Sequence, residues 1–355
     1  MKWKILRFTL IIITSVTFLF VSPFAVGSAS ESEIPSNIPE ANPQIVSPNT
    51  TYPQNSGLNR IFFAPGTTSA VVGGGLSANT TVRYVLRALY GQLMDVNLSA
   101  PEGVSLFITT SWGWPLLPIT GSSTSFRGYL PATGDYIITV TSSSDPVSYS
   151  FNVMIPQRIS FELGATSASL EGHLNPYQGH DYILRAQAGQ LMEINITPDN
   201  PDNNLQLIIY GVDGSVLRSG MGEGSTFRGE LPFSEDYIVT VRAGDRAVSF
   251  NMNVIIPQRI SFQPGAISGA VTGKLSAYHS QYYVLRAMKN QTMQVEVLPG
   301  NNVKLIIYGA DGTVLKSGMG EGASFTGVLP SSQDYILVVS AGNYQVTYTL
   351  LVTIQ

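Results

Sequence analysis

The sequence predicts an all-β chain: three tandem antiparallel β-sandwiches of jelly-roll-like form, behind a signal peptide and a disordered linker. Three observations predict it. A paragraph of roughly 100 residues is written three times. Its apolar residues alternate with a period of two. Gly, Asn and Asp punctuate it at the spacing of hairpin turns.

The repetition is plain in the residues. Ile61-Phe62-Phe63 returns as Ile159-Ser160-Phe161 and Ile260-Ser261-Phe262, and Tyr84-Val85-Leu86-Arg87-Ala88 as Tyr182-Ile183-Leu184-Arg185-Ala186 and Tyr283-Val284-Leu285-Arg286-Ala287. Asp135-Tyr136 returns as Asp236-Tyr237 and Asp334-Tyr335, so the copies stand 98 to 101 residues apart. That is a domain period, long enough for each copy to hold its own core.

The N-terminus comes first in chain order. Lys2, Lys4 and Arg7 precede an apolar run from Phe8 to Val21, closed by Ser22-Pro23 and the small residues Gly27-Ser28-Ala29. This is the layout of a secretory signal peptide, 1–29, with a retained anchor as the alternative. The chain has no cysteine, which excludes disulfides, thiol chemistry and lipid attachment through cysteine. Loss of the signal leaves 16 basic residues against 23 acidic ones, a formal charge of −7. An acidic chain without a basic cluster does not suit nucleic acid or anionic lipid. The expected location is secreted, extracellular or cell-envelope, with no membrane span after cleavage.

Residues 30–58 carry Pro35, Pro39, Pro43, Pro48 and Pro53 among polar residues and read as a disordered spacer. The repeats follow at 59–156, 157–257 and 258–355. The junctions Ile155-Pro156-Gln157-Arg158-Ile159 and Ile256-Pro257-Gln258-Arg259-Ile260 are short, which predicts a semi-rigid rod. Met94, Val96 and Leu98 alternate with Asp95, Asn97 and Ser99, and Tyr149, Phe151, Val153 and Ile155 alternate with Ser150 and Asn152. Each strand is expected to have one dry and one wet face, with eight or nine strands per repeat. Asp213-Gly214 and Asp311-Gly312 signal hairpins, and Gly220-Met221-Gly222-Glu223-Gly224 and Gly318-Met319-Gly320-Glu321-Gly322 signal loops.

The motif order Asp181-Tyr182-Ile183-Leu184, Ala188-Gly189-Gln190, Leu207-Ile208-Ile209-Tyr210-Gly211 with Asp213-Gly214, Leu231-Pro232 and Asp236-Tyr237-Ile238-Val239 resembles bacterial pre-peptidase C-terminal (PPC)-type β-sandwich domains. It is also similar to the periplasmic inhibitors of goose-type lysozyme. The first resemblance implies a non-catalytic domain of a secreted protein; the second implies blockade of a lysozyme. Neither assigns a site to residues of this chain.

No catalytic constellation stands out. His173, His180 and His279 lie in no zinc or nucleophile motif, and His180 reads as a turn histidine. Asp199, Asp202 and Asn203-Asn204 are the best local set for calcium, but the other copies have no equivalent. No metal or cofactor is expected. Arg87, Arg185 and Arg286, with Asp135, Asp236 and Asp334, read as structural, the Asp capping a turn. Copy one lacks the Tyr-Gly-x-Asp-Gly hairpin motif and has Thr110-Ser111-Trp112-Gly113-Trp114-Pro115 in its place. Trp112 and Trp114 are the candidate ligand-binding residues, with Phe107 extending the patch and Tyr210 and Tyr308 as weaker counterparts. Such indoles either stack on sugars or anchor proteins, or cover the end of the sandwich or pack against repeat two. The expected function is a non-catalytic binding module for cell-wall or other polysaccharide or an envelope protein. The alternative is an inhibitor of a lytic enzyme, and an enzyme is the least supported reading.

Overall fold

The computed structural model describes residues 57–117, 123–143, 146–220, 224–318 and 322–355, all within one compact unit, Gln44–Gln355. The signal peptide, the linker as far as residue 56, and the centres of both glycine loops (221–223 and 319–321) lie outside the described residues.

The described residues form 27 strands in six sheets, nine strands to each repeat. Repeat 1 comprises β1 (Leu58–Arg60), β2 (Ser69–Leu76), β3 (Thr81–Ala88), β4 (Leu93–Ser99), β5 (Val104–Thr110), β6 (Pro115–Leu117), β7 (Ser125–Tyr129), β8 (Gly134–Ser142) and β9 (Val147–Met154). One sheet has the order β1-β3-β8-β5-β6 and the other β2-β9-β4-β7. The pairing is antiparallel except for β1, which runs parallel to β3. The same order recurs from Gln157–Arg158 to Val248–Ile255 and from Gln258–Arg259 to Val346–Ile354.

Alternation sends one set of side chains from each strand between the two sheets. In repeat 1 these are Met94, Val96, Leu106, Ile108, Tyr136, Ile138, Val140, Phe151 and Val153, all buried. Repeats 2 and 3 have separate clusters built from equivalent residues, so there are three interiors. Inside the first, the Tyr84 and Tyr149 hydroxyls share a hydrogen bond of 2.5 Å; inside the third, Tyr283 and Tyr348 share one of 2.7 Å. These pairs let tyrosine sit in a core without an orphan hydroxyl.

The expectation of one wet face per strand fails between repeats. Asp95 and Glu193, which alternation alone would leave in water, are 3% and 6% exposed. The cause is sheet-on-sheet stacking. The four-stranded sheet of one repeat lies against the five-stranded sheet of the next. Leu93 and Met154 of repeat 1 pack on Ile183 and Ile238 of repeat 2, and Leu191 packs on Val284, Ile336 and Val338 of repeat 3. The junctions are part of this stack. Gln157–Arg158 and Gln258–Arg259 are themselves strands, parallel to Gly179–Ala186 and Ser280–Ala287.

Two polar clamps lock the stack. Arg127 binds Asp95 at 2.7 Å, reaches the Val212 carbonyl at 3.1 Å and lies 5.7 Å from the Tyr210 ring centre. One repeat later Arg228 binds Glu193 at 3.0 Å and lies 4.8 Å from the Tyr308 ring centre. Tyr210 and Tyr308 are therefore interface residues, not outward-facing candidates for ligand. Burial pushes both phenols above their ordinary range, with Asp181 and Asp95 adding to the rise at Tyr210 and Glu193 at Tyr308.

Candidate functional site

The tip of repeat 1 is built by three loops. β5 runs out at Thr110 into a tight turn that returns as β6. The Thr110 amide donates to the Trp114 carbonyl at 2.8 Å, and the Trp114 amide donates to the Thr110 hydroxyl at 3.0 Å. Gly113 takes φ 87° at the corner, a left-handed value that favours glycine. Gly211 to Ser215 and Gly309 to Thr313 close in the same way, with Gly214 at 91° and Gly312 at 87°. The hairpin that the sequence of copy one lacks as a motif is thus present as a turn, with different side chains. Trp112 stands in the slot of Asp213 and Asp311, and Trp114 in that of Ser215 and Thr313.

The substitution reaches a second position. In repeats 2 and 3 the turn is gripped from below: Glu235 accepts from the Asp213 amide at 3.1 Å, and Gln333 from the Asp311 amide at 2.9 Å. Repeat 1 has Gly134 at that place. A Cβ there would stand 3.5 Å from the Trp112 ring, so the indole lies over the room the longer side chain fills elsewhere. Trp112 covers the end of its sandwich on one face only, since 60% of it remains exposed; Trp114 is 67% exposed.

The third loop supplies two residues that sequence reasoning missed. Leu89 and Tyr90 follow β3, and both are exposed, Tyr90 to 74%. The Leu89 amide donates to Gln92 at 2.7 Å, and the Tyr90 amide donates to the Thr133 hydroxyl at 2.9 Å, one residue from Gly134. Leu89, Tyr90, Trp112 and Trp114 thus project from one end. The signal was available: the other copies have Gln187-Ala188 and Met288-Lys289 in this loop. Phe107 lies on the outer face of β5, half-buried, three residues before the turn.

The recurring charges are structural, though not as turn caps. Asp135, Asp236 and Asp334 each receive both guanidinium nitrogens of the arginine that ends the first strand of the repeat: Arg60 at 3.0 and 3.4 Å, Arg158 at 2.8 and 3.2 Å, Arg259 at 2.7 and 3.2 Å. Arg87 is 3.9 Å from Asp135, and Arg185 donates to the Ser234 carbonyl. At Asp236 burial alone would raise the carboxyl. The hydrogen bonds from Arg158 and from Tyr129 of repeat 1 outweigh it and hold the group below the ordinary carboxylate range. The Tyr129 phenol is pushed up to about 12, by burial first and its bond to Asp236 second.

His180 is a strand residue, not a turn residue. Its Nδ1 lies 2.8 Å from the Gly66 carbonyl and its Nε2 2.9 Å from the Gln157 side chain, at the junction of repeats 1 and 2. Asp199 accepts from the Asn200 amide and the Asn203 side chain, closing its own loop. Among the described residues no group of three or more His, Cys, Asp or Glu is placed to hold a metal ion. An open depression of about 510 Å³ on repeat 2 is lined by Glu171, Asp199, Ser249 and Asn251, outside the aromatic tip.

Among the described residues no helix is long and apolar enough to cross a membrane. No protein-family model matches the chain, and no curated protein matches it. Among solved structures, the chain is similar to the Aeromonas hydrophila periplasmic inhibitor of g-type lysozyme, at 24% identity and a TM-score of 0.25, over 28% of this chain and 96% of that one. The Salmonella Typhimurium inhibitor is similar at 18% identity and a TM-score of 0.22, over 27% and 96%. The CUB1-EGF-CUB2 segment of human MASP-1/3 is similar at 10% identity and a TM-score of 0.17, over 53% and 100%.

Proposed function

We propose that this chain is a non-catalytic, secreted or cell-envelope binding protein that holds a polysaccharide through the tip of its first sandwich. One observation carries the reading. Two indoles and a tyrosine stand in water at one tip, in places that the sister copies fill with Asp213, Ser215 and Ala188 or with Asp311, Thr313 and Lys289. Exposing that much aromatic surface has a solubility cost that a stacking role offsets. Sugar rings present apolar faces that suit flat indoles, and their hydroxyls tolerate the wet surroundings.

The polar groups support the non-catalytic part. Each recurring carboxylate is already committed: Asp135, Asp236 and Asp334 to arginines, and Asp95 and Glu193 to the clamps between repeats. Only the first of the three copies bears the indole pair; the corresponding tip of repeat 2 exposes a single ring, Phe233. Repetition therefore serves to build a rigid stack beneath one binding end, rather than three equal sites acting together.

The test is retention of the full chain on insoluble cellulose, chitin and cell-wall sacculi. Wild-type protein is expected to be retained on at least one of them, and Trp112→Ala with Trp114→Ala to be lost from it. Retention unchanged in the double variant, or slowing of goose-type lysozyme by the full chain without any glycan retention, would overturn the reading.

A further inference from the structure

The five-stranded sheet has the same outer face in every repeat, but among the described residues a neighbouring sandwich covers it in only two of the three. In repeat 2 the face presents Asp181, Thr240 and Ile208 in one cross-strand row and Ile183, Ile238 and Tyr210 in the next. In repeat 3 the rows are Tyr282, Val338 and Ile306, then Val284, Ile336 and Tyr308. Both faces lie under the preceding sandwich. Repeat 1 presents Arg83, Thr139 and Phe107, then Val85, Ile137 and Thr109. No buried apolar cluster of the described residues joins it to another sheet, although Val85 at its centre is only 6% exposed.

The replacements are directed. The tyrosine that reaches into a neighbour becomes Thr109. Asp181, which hydrogen-bonds Thr68 of the preceding repeat at 3.0 Å, becomes Arg83. Ile208 and Ile306 become an aromatic ring, Phe107. The face has lost the groups that grip another sandwich and gained a ring, hydroxyls and a cation.

A second copy of the chain does not fit there head to tail. The clamp residues Leu93, Asp95, Arg127 and Met154 of repeat 1 correspond to Thr292, Gln294, Thr326 and Thr353 in repeat 3. Those four positions have lost the clamp, although Leu298, Val328 and Leu351 stay exposed on the same face.

Charge selects the occupant. The molecule is acidic, yet this face carries Arg60, Arg83 and Arg87 against Asp135 alone. Arg60 is committed to Asp135, Arg87 is 3.9 Å from it, and Arg83 is exposed with no ion pair among the described residues. Arg83 and Phe107 flank Thr139 in one row, two strands apart, which is about 10 Å across the sheet. A sugar ring stacked on Phe107 brings an acidic substituent within reach of the Arg83 guanidinium.

Building on the polysaccharide reading above, we propose that the ligand is an anionic glycan. It lies along the outer face of repeat 1 from the exposed Arg83 past the half-buried Phe107 toward the Trp112–Trp114 turn, with Arg83 reading its acidic groups. Carboxylate and phosphodiester sugars share this chemistry. Fork-shaped guanidinium recognition of either is stronger than a neutral contact.

The test uses full-length protein titrated with polygalacturonate, its fully methyl-esterified form, and a phosphodiester-linked mannan, followed by tryptophan fluorescence and calorimetry. An anionic probe is expected to bind at least about tenfold more tightly than the ester. Arg83→Gln is expected to remove most of that margin, and Arg83→Lys to restore part of it. The margin should shrink as salt is raised, since the contact is exposed. The tighter of the two anionic probes identifies the acidic group. Arg83 is exposed, so an unchanged melting temperature verifies the fold of its variants. Equal binding of polygalacturonate and ester that Arg83→Gln leaves alone and Trp112→Ala weakens would overturn the anionic inference and leave the polysaccharide reading standing. No binding to these probes, together with no retention on the insoluble glycans, would sink both.

Discussion

The Arg228 guanidinium of repeat 2 lies 4.8 Å from the centre of the Tyr308 ring of repeat 3 while bound to Glu193 of its own sheet. Arg127 stands in the same relation to Tyr210 and Asp95 one repeat earlier. A cation held between a buried carboxylate and an aromatic face is the device that joins one sandwich to the next.

Removing that cation strands the carboxylate. Arg228→Ala is expected to destabilise the junction of repeats 2 and 3 by about 2–4 kcal/mol, from an unpaired buried charge and a lost cation–π contact. Thr326→Ala, at the equivalent exposed place on the terminal sheet, should cost less than about 0.5 kcal/mol. Urea unfolding, with hydrogen exchange followed at Val303–Gly309, reads both. Equal effects would show that the clamp does not hold the stack.

The tyrosine pairs inside the sandwiches give a differential test. Tyr283→Phe leaves the buried Tyr348 hydroxyl without its 2.7 Å partner and is expected to cost about 1–2 kcal/mol. In repeat 2 the place of Tyr348 is taken by Phe250, so Tyr182→Phe breaks no such pair and should cost clearly less. Thermal melts of the two single variants compare them directly.

The junction of repeats 1 and 2 is bounded in pH on both sides. The Asp236 carboxyl is held below its ordinary range in the folded chain, so its contribution is present above the unfolded value near 4 and is lost as pH falls through the folded one. The Tyr129 phenol is raised to about 12, so its contribution is complete below the unfolded value near 10 and is lost as pH rises toward 12. Tyr129→Phe should therefore flatten part of the fall in stability between about pH 10 and 12. Denaturation midpoints across that window measure it; an unchanged profile would mean the pair is not coupled to folding.

The fold was legible because it is written locally. Met94, Val96 and Leu98, with Tyr149, Phe151 and Val153, mark inward faces by alternation alone, and Asp-Gly marks the turns. The stack was not legible. Asp95 and Glu193 sit on the polar phase of their strands, and no local pattern says that a neighbouring sheet will cover them. That knowledge needs the pairing of each sheet with the next repeat, which puts Arg127 over Tyr210 from 83 positions away. The tip was half legible. Trp112 and Trp114 stood out by composition, whereas Leu89 and Tyr90 are ordinary residues until the hydrogen bond from Tyr90 to Thr133 places their loop beside Gly134.

The most direct measurement is amide hydrogen exchange of the full chain with and without the glycan that retains it. Protection confined to residues 89–92 and 110–115, with the equivalent loops at 187–190, 211–215, 288–291 and 309–313 unchanged, is the predicted result. Protection spread evenly over all three tips, or absent from the first, would contradict a single recognition end on a stack of three sandwiches.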